Sequence, residues 1–404
     1  MTDTPLPFDG TAIDFDDAPP AETAWSAKTW LAMLAMLATS FALVSAEFLP
    51  AGLLTPMAAD LGISEGTAGQ VVTATALVGA ITALLSNVLI GTLNRKAVLL
   101  GLSALALVSN LLSAYATDFW LLLVGRAGLG IALSAFWALS MAVVVRLVGT
   151  KSMGRGVAMV SLGVSLATIA APSMGALISD WIGWRHATAI TAGLAGFALL
   201  LQLISLPSLP ASAGNSLGDV IGLTRRRGVQ LGMLAILLLM AGHMTGSVYV
   251  RPFLEQVTAL STGMIALVLG GFGAAAVLGT VLAGRLADID ARKTLALTGT
   301  IMALAALALV LWGASVVAAF SFVALWGLAF GMAPVSLQAN LSRSAPDALE
   351  GAGSLMVVSF QVAITLGALI GGYVVDTYSA NANMMLTAIL AAMTLVLALL
   401  QPKP

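Results

Sequence analysis

Twelve stretches of this chain are apolar for long enough to cross a bilayer, and that pattern excludes almost every soluble fold. They lie at 29–57, 66–93, 97–117, 119–148, 156–180 and 185–206, then at 229–255, 263–285, 294–313, 316–341, 351–375 and 383–401. A spanning helix needs about 20 apolar residues, and backbone in hydrocarbon has to satisfy its own hydrogen bonds, so each run is expected to be a helix. Hydrophobic residues make up 59% of the 404 positions and charged residues 9%, against about 25% charged in a soluble domain. That is too little charge to coat a wetted surface. The 41 glycines suit helices that approach backbone to backbone, since lipid gives no hydrophobic drive for association.

A formal net charge of −1 leaves no basic field for nucleic acid, and the absence of cysteine removes disulfides, thiolate metal sites and thiol nucleophiles. Residues 1–26 carry Asp3, Asp9, Asp14, Asp16, Asp17 and Glu22 with no Lys or Arg. This is the opposite of a basic secretory signal, and an acidic disordered tail is expected there. Cytoplasmic loops collect Lys and Arg. With both termini cytoplasmic, every Lys and Arg falls on the cytoplasmic side except Arg126, Arg185 and Arg251.

The expected architecture is all-α and integral to the membrane, with twelve transmembrane helices in two six-helix halves. These span 27–206 and 229–404, joined by a cytoplasmic linker over 207–228 that holds Pro207, Pro210, Gly214 and the Arg225–Arg227 run. Two echoes at nearly one offset support a repeat. Gly175-Ala176-Leu177-Ile178 recurs as Gly367-Ala368-Leu369-Ile370, each followed by an Asp, and the Gly91 loop with Arg95-Lys96 recurs as the Gly284 loop with Arg292-Lys293. Such repeats place a substrate site between the halves near the midplane.

These motifs resemble the major facilitator superfamily over residues 27 to 401. Gly284-Arg285-Leu286-Ala287-Asp288 followed by Arg292-Lys293 is similar to its loop signature, which implies a cytoplasmic gating latch; the N-terminal counterpart, Gly91 to Lys96, is short and lacks the Asp. Gly125-Arg126-Ala127-Gly128-Leu129-Gly130 resembles the arginine motif associated with proton coupling. Gly163, Ala171-Pro172 and Gly175 resemble the proline-glycine motif of the drug:proton antiporter branch, which implies a gating role for Pro172 and Gly175. Ala46-Glu47-Phe48-Leu49-Pro50, Leu53 to Met57, Asp60 to Gly66, Phe136-Trp137-Ala138, Ser205 to Pro210, Arg251-Pro252 and Gly371-Gly372-Tyr373 resemble the bacterial purine ribonucleoside efflux pumps. The resemblance implies proton-driven export of purine ribonucleosides and purine base analogues across a bacterial inner membrane. Part of the first-helix pattern is shared with arabinose and multidrug exporters, so a broad drug or sugar antiporter is the alternative.

Glu47 is the one carboxylate well inside the first helix, where a charge costs about 2.5 to 3.5 kcal/mol on insertion scales. A carboxylate that alternates between water and protein surroundings loads and releases a proton, which is the reading favoured over a structural Glu. At 1.5 Å per residue Glu47 lies about 15 Å, and Arg126 about 11 Å, below the outer helix ends. Arg126 is therefore read either as the partner that holds Glu47 ionised or as a structural Arg bonded to carbonyls at a broken helix. Arg126, Gly130, Leu133 and Trp137 share one face, with Phe136 and Ser140 beside it. Trp137 is a candidate aromatic wall for a flat base, whereas packing is the better reading of Phe136.

His243, Thr245 and Tyr249, with Gln338, Asn340 and Gln361, are the substrate-contact candidates of the second half, and interhelical bonding is the competing role. His243 belongs to the residue type that changes charge near physiological pH, which makes it a second candidate for proton handling. Arg251 is read as a snorkelling anchor. An enzyme would need paired catalytic groups at one depth, and His186 and His243 sit in separate halves; no Gly-Lys-Ser/Thr loop offers ATP drive. No cofactor or metal is expected beyond the proton gradient. The expected partners are a small-molecule substrate, protons and lipid, and a monomer is expected.

Overall fold

The computed structural model describes residues 25–90, 93–149, 152–210 and 222–400. The acidic tail expected over 1–26 lies outside these apart from Trp25 and Ser26, as does 211–221 of the linker. Thirteen helices are described: α1 (Ala27–Phe48), α2 (Pro50–Leu61), α3 (Glu65–Ile90), α4 (Arg95–Ala114), α5 (Phe119–Val148), α6 (Met153–Ile182), α7 (Trp184–Ser205), α8 (Arg227–Ser247), α9 (Val250–Gln256), α10 (Thr262–Trp312), α11 (Val316–Ser344), α12 (Leu349–Thr377) and α13 (Ala380–Leu400). Eleven are long and apolar enough to cross a membrane, and no strand occurs among the described residues. The chain is a multi-pass membrane protein.

The helices depart from the expected spans where proline or capping chemistry intervenes. The run expected over 29–57 is two helices, because Pro50 opens α2 with only Leu49 between it and the end of α1, and proline has no N–H for the preceding turn. α2 then runs to Leu61 and stops on Gly62, a left-handed cap with φ 63. The run over 229–255 divides the same way around Val248 and Tyr249, ahead of Pro252. Conversely, the runs over 263–285 and 294–313 are joined in α10, which at 51 residues is about 77 Å long, more than twice the hydrocarbon core. Asp290 interrupts it with φ −156 and ψ 98, and its carboxylate accepts the Lys293 N–H at 3.0 Å, capping the second half of α10 as an N-cap does.

Helices α1–α7 pack as one set and α8–α13 as another, with two seams between them, α3 along α12 and α6 along α10. Gly66 belongs to the first seam, where a β-carbon would collide with the Gly372 carbonyl and the Asp376 carboxylate. The chain connections divide the bundle into two ends. One holds the α2–α3, α6–α7 and α9–α10 turns and is ringed by exposed Tyr115, Trp120, Trp181, Trp312 and Tyr378, the aromatic belt of a membrane interface. The other end holds Arg95, Lys96, Arg146, Arg155, Arg225, Arg226, Arg227, Arg292, Lys293 and Arg343. There Arg155 lies over the rings of Trp25 and Trp30, at 4.6 and 5.0 Å.

Candidate functional site

The break between α1 and α2 organises the first half of the site. Since Pro50 has no N–H, the Ala46 carbonyl one turn earlier loses its helical donor. The Arg126 guanidinium replaces it, with Nη1 donating to Ala46 O at 2.8 Å and Nε to Val71 O at 3.3 Å. Arg126 is 4% exposed and its Nη2 has no partner among the described residues. It lines a small cavity with Ala46, Pro50, Asn110, Ser113 and Thr191. A buried guanidinium held on two carbonyls pins α5 to the break and to α3.

Glu47 follows Ala46 directly, so the two sequence candidates do meet at one level of the bundle. They do not form an ion pair within 4.0 Å. Glu47 is half-buried, and its carboxylate takes no hydrogen bond from the described residues. The α6 motif lies against the same break: Gly52 packs on the Pro172 carbonyl and Gly175 on the Leu49 side chain. Pro172 and Gly175 thus sit against the break between α1 and α2, inside one continuous α6.

The α5 candidates separate. Phe136 is enclosed in the first-half core and meets half-buried Trp137 edge to face at 5.4 Å, while the Ser140 hydroxyl donates to the Trp137 carbonyl of its own helix at 3.1 Å. Ser134, which sequence reasoning passed over, is the α5 residue that reaches the other half, accepting from Gln361 Nε2 at 3.0 Å. A short hydroxyl on the turn after Gly130 was the available signal.

In the second half Thr245 donates to Gly242 O at 2.8 Å and lies 3.0 Å from the Thr387 hydroxyl, tying α8 to α13. Asn340 is buried in α11 and Gln338 is exposed. His243 is buried inside a box of Phe272, Trp326 and Phe330, stacked on Phe330 at 4.2 Å and 16°. Phe330 in turn touches Phe48 of the first half at 6.0 Å.

Tyr249 joins the belted end rather than the box, donating to Ala368 O at 2.8 Å and to Gly66 O at 3.4 Å. Around it the halves are clasped. The Asp376 carboxylate accepts from Ser64 Oγ at 2.6 Å and Gly66 N at 2.9 Å, Thr55 donates to Glu255 at 2.6 Å, and Gln256 donates to Glu65 at 3.1 Å. Arg251 donates to Gly52 O and pairs with Glu255 at 2.7 Å, so it bridges the halves instead of snorkelling. Thr262 donates to Asp180 at 3.4 Å. Asp180 and Asp376 are the two acids that follow the repeated Gly-Ala-Leu-Ile.

The loop candidates for gating lie at the basic end. Asp288, Arg285 and Lys293 are exposed, and no ion pair joins Asp288 to Arg285, Arg292 or Lys293. Asp290 takes the acidic role, pairing with Lys293 at 3.2 Å. Arg292 donates to Ala398 O at 2.8 Å and also to Leu399 O, and Arg343 donates to Ala287 O at 3.0 Å. All of these bonds stay within the second half.

Helices broken at mid-bundle, around a carboxylate, an arginine and an aromatic wall divided between two helix sets, are the construction of a membrane transporter. The Major Facilitator Superfamily profile matches residues 31–357 and again 233–404, and the chain belongs to that superfamily. It is a transporter and not an enzyme. The chain is similar to the purine ribonucleoside efflux pump NepI of Escherichia coli strain K12, at 36% identity over 368 residues, 91% of this chain and 93% of that protein. The pumps of the same name from Shigella flexneri and from Escherichia coli O127:H6 match to the same extent.

Proposed function

We propose that the chain is a proton-coupled antiporter that exports purine ribonucleosides and purine base analogues from the bacterial cytoplasm by alternating access. The observation that carries this reading is the 36% identity to purine ribonucleoside efflux pumps over 91% of the chain. The site supports it chemically. Glu47 carries the proton, and Arg126, fixed on Ala46 O, is the cation that Glu47 meets or leaves as α1 and α2 move. Gln361, Ser134, Asn340 and the aromatic groups around His243 and Trp137 face the cargo between the halves.

Twelve spans follow if α1 with α2, and α8 with α9, each cross once and α10 crosses twice about Asp290. The concentration of Lys and Arg at one end then puts both termini in the cytoplasm. The clasped end faces outward, so the described conformation is sealed to the outside. The transporter works as a monomer in the inner membrane, without a cofactor. The test is transport by the purified protein in liposomes with inosine, 6-mercaptopurine, chloramphenicol and arabinose. Inosine and 6-mercaptopurine are expected to move; movement of chloramphenicol or arabinose without either purine would establish the broad drug or sugar exporter instead.

A further inference from the structure

The box around His243 carries an unusual debt of hydrogen bonding. His243 is 1% exposed, and neither Nδ1 nor Nε2 has a partner among the described residues; Trp326 is 0% exposed, and its Nε1 has none either. Buried polar groups are bonded in the great majority of cases, and each exception calls for an explanation. Here three orphaned nitrogens share one cluster, since the two rings meet edge to face at 5.5 Å.

The geometry of the rings gives the explanation. Phe272, His243 and Phe330 lie nearly parallel, with interplanar angles of 14° and 16° from His243 and 25° between the phenyl rings. Only His243 and Trp326 are fully enclosed, because Phe272 and Phe330 are half-buried. Phe330 is also the ring that touches Phe48 across the halves, a contact that has to change when the halves rock. A planar heteroaromatic group entering from the space between the halves would take up the ring stacking of Phe330 and uncover the imidazole. Neutral imidazole offers one donor and one acceptor, and the indole adds a donor. That set matches the ring nitrogens and exocyclic group on the edge of a purine.

We propose that Phe272, Phe330, His243 and Trp326 form the nucleobase subsite, in which the imidazole ring holds the place that a bound purine base takes against Phe330, and the orphaned nitrogens read the edge of that base. This rests on the purine reading above and assigns it to particular atoms. A pocket that hydrogen-bonds its ligand discriminates strongly against an analogue lacking the partner group, because its own polar atoms are then left unpaired.

The test is equilibrium binding of radiolabelled inosine to the purified full-length protein, with the melting temperature measured alongside. His243→Phe keeps the ring and removes both nitrogens, so it is expected to melt at or above the wild-type temperature while binding inosine at least tenfold more weakly. His243→Gln retains a donor and an acceptor without the ring, and is expected to lose stability but stay within threefold of wild-type affinity. Wild-type affinity in His243→Phe, a lowered melting temperature in that variant, or equal loss of affinity in both variants overturns the subsite. Failure of the wild-type protein to bind any purine overturns the function proposed above and the subsite with it.

Discussion

The two ends of the bundle are held together by different rules. At the belted end, beside bonds within each half such as Arg185 to Asp60, a set of polar bonds runs between the halves, from Ser64 and Gly66 to Asp376, from Thr55 to Glu255 and from Tyr249 to Gly66. Among the described residues of the basic end the bonds stay within a half or join it to its linker, as between Arg226 and Asp347, Arg343 and Ala287, or Arg95 and Leu209. Among the described residues each half is therefore stapled separately at the basic end, while the bonds between the halves gather at the belted one, with Gln361 to Ser134 at mid-bundle. Under the alternating access proposed above, a molecule built this way hinges at the clasp and parts at the other end, and it changes state when the clasp breaks.

Removing the most heavily bonded clasp residue is expected to have the largest effect. Asp376→Ala deletes two charge-assisted bonds and leaves the α3 N-terminus without its acceptor. The Ser64 bond is solvent-exposed and contributes little, so the loss is about 1.5–3 kcal/mol for the part-buried Gly66 bond to a charged group, and the ratio of clasped to open molecules should fall by about 10- to 100-fold. The chain has no cysteine, so spin labels on Ala59→Cys and Ser261→Cys report the belted end directly. A distance distribution unchanged by Asp376→Ala would mean that the clasp does not hold the halves.

Tyr249→Phe should act in the same direction and less strongly. Its 2.8 Å bond to Ala368 O lies within the second half, and only the long bond to Gly66 O at 3.4 Å crosses, so the loss to the clasp should be about 0.5 kcal/mol and the shift by the same labels about twofold. Arg226→Ala tests the other side of the comparison. Its bidentate pair with Asp347, at 2.6 and 2.8 Å, is solvent-exposed and joins the linker to the second half without crossing to the first, so the label distances should stay as in wild type.

The Arg226–Asp347 pair also gives a pH signature. The guanidinium holds the Asp347 carboxyl down at about 2. A carboxylate depressed in the folded state contributes above its ordinary value of 3.8 and loses that contribution as pH falls through about 2. Carbon-detected NMR should place the Asp347 midpoint near 2 in wild type and back near 3.8 in Arg226→Ala. Thermal stability above pH 5 should not change measurably, as exposed pairs contribute little.

Most of the helical scaffold was legible from the length of the apolar runs, because lipid leaves the backbone no other choice. The break at Pro50 was legible from the missing N–H, and it explains why Arg126 meets Ala46. The acidic cap at Asp290 was also open to local reasoning, since Asp290 stands three residues before Lys293 at a helix start, but the motif match drew attention to Asp288. The clasp left a trace in the two acids that follow the repeated tetrapeptide, although nothing in either half alone shows that Asp376 reaches Gly66. The His243 box left none. Its rings come from α8, α10 and α11, and which faces of three apolar helices meet depends on packing that periodicity along one helix does not encode.

The proposed coupling rests on Glu47, the carboxylate at the α1–α2 break that no described side chain pairs. In liposomes loaded at acid pH and diluted into neutral buffer, the wild-type protein should accumulate radiolabelled inosine. Glu47→Gln should fail to accumulate it, yet still exchange labelled for unlabelled inosine when no proton gradient is present. Accumulation by Glu47→Gln equal to that of the wild type would show that the proton travels elsewhere.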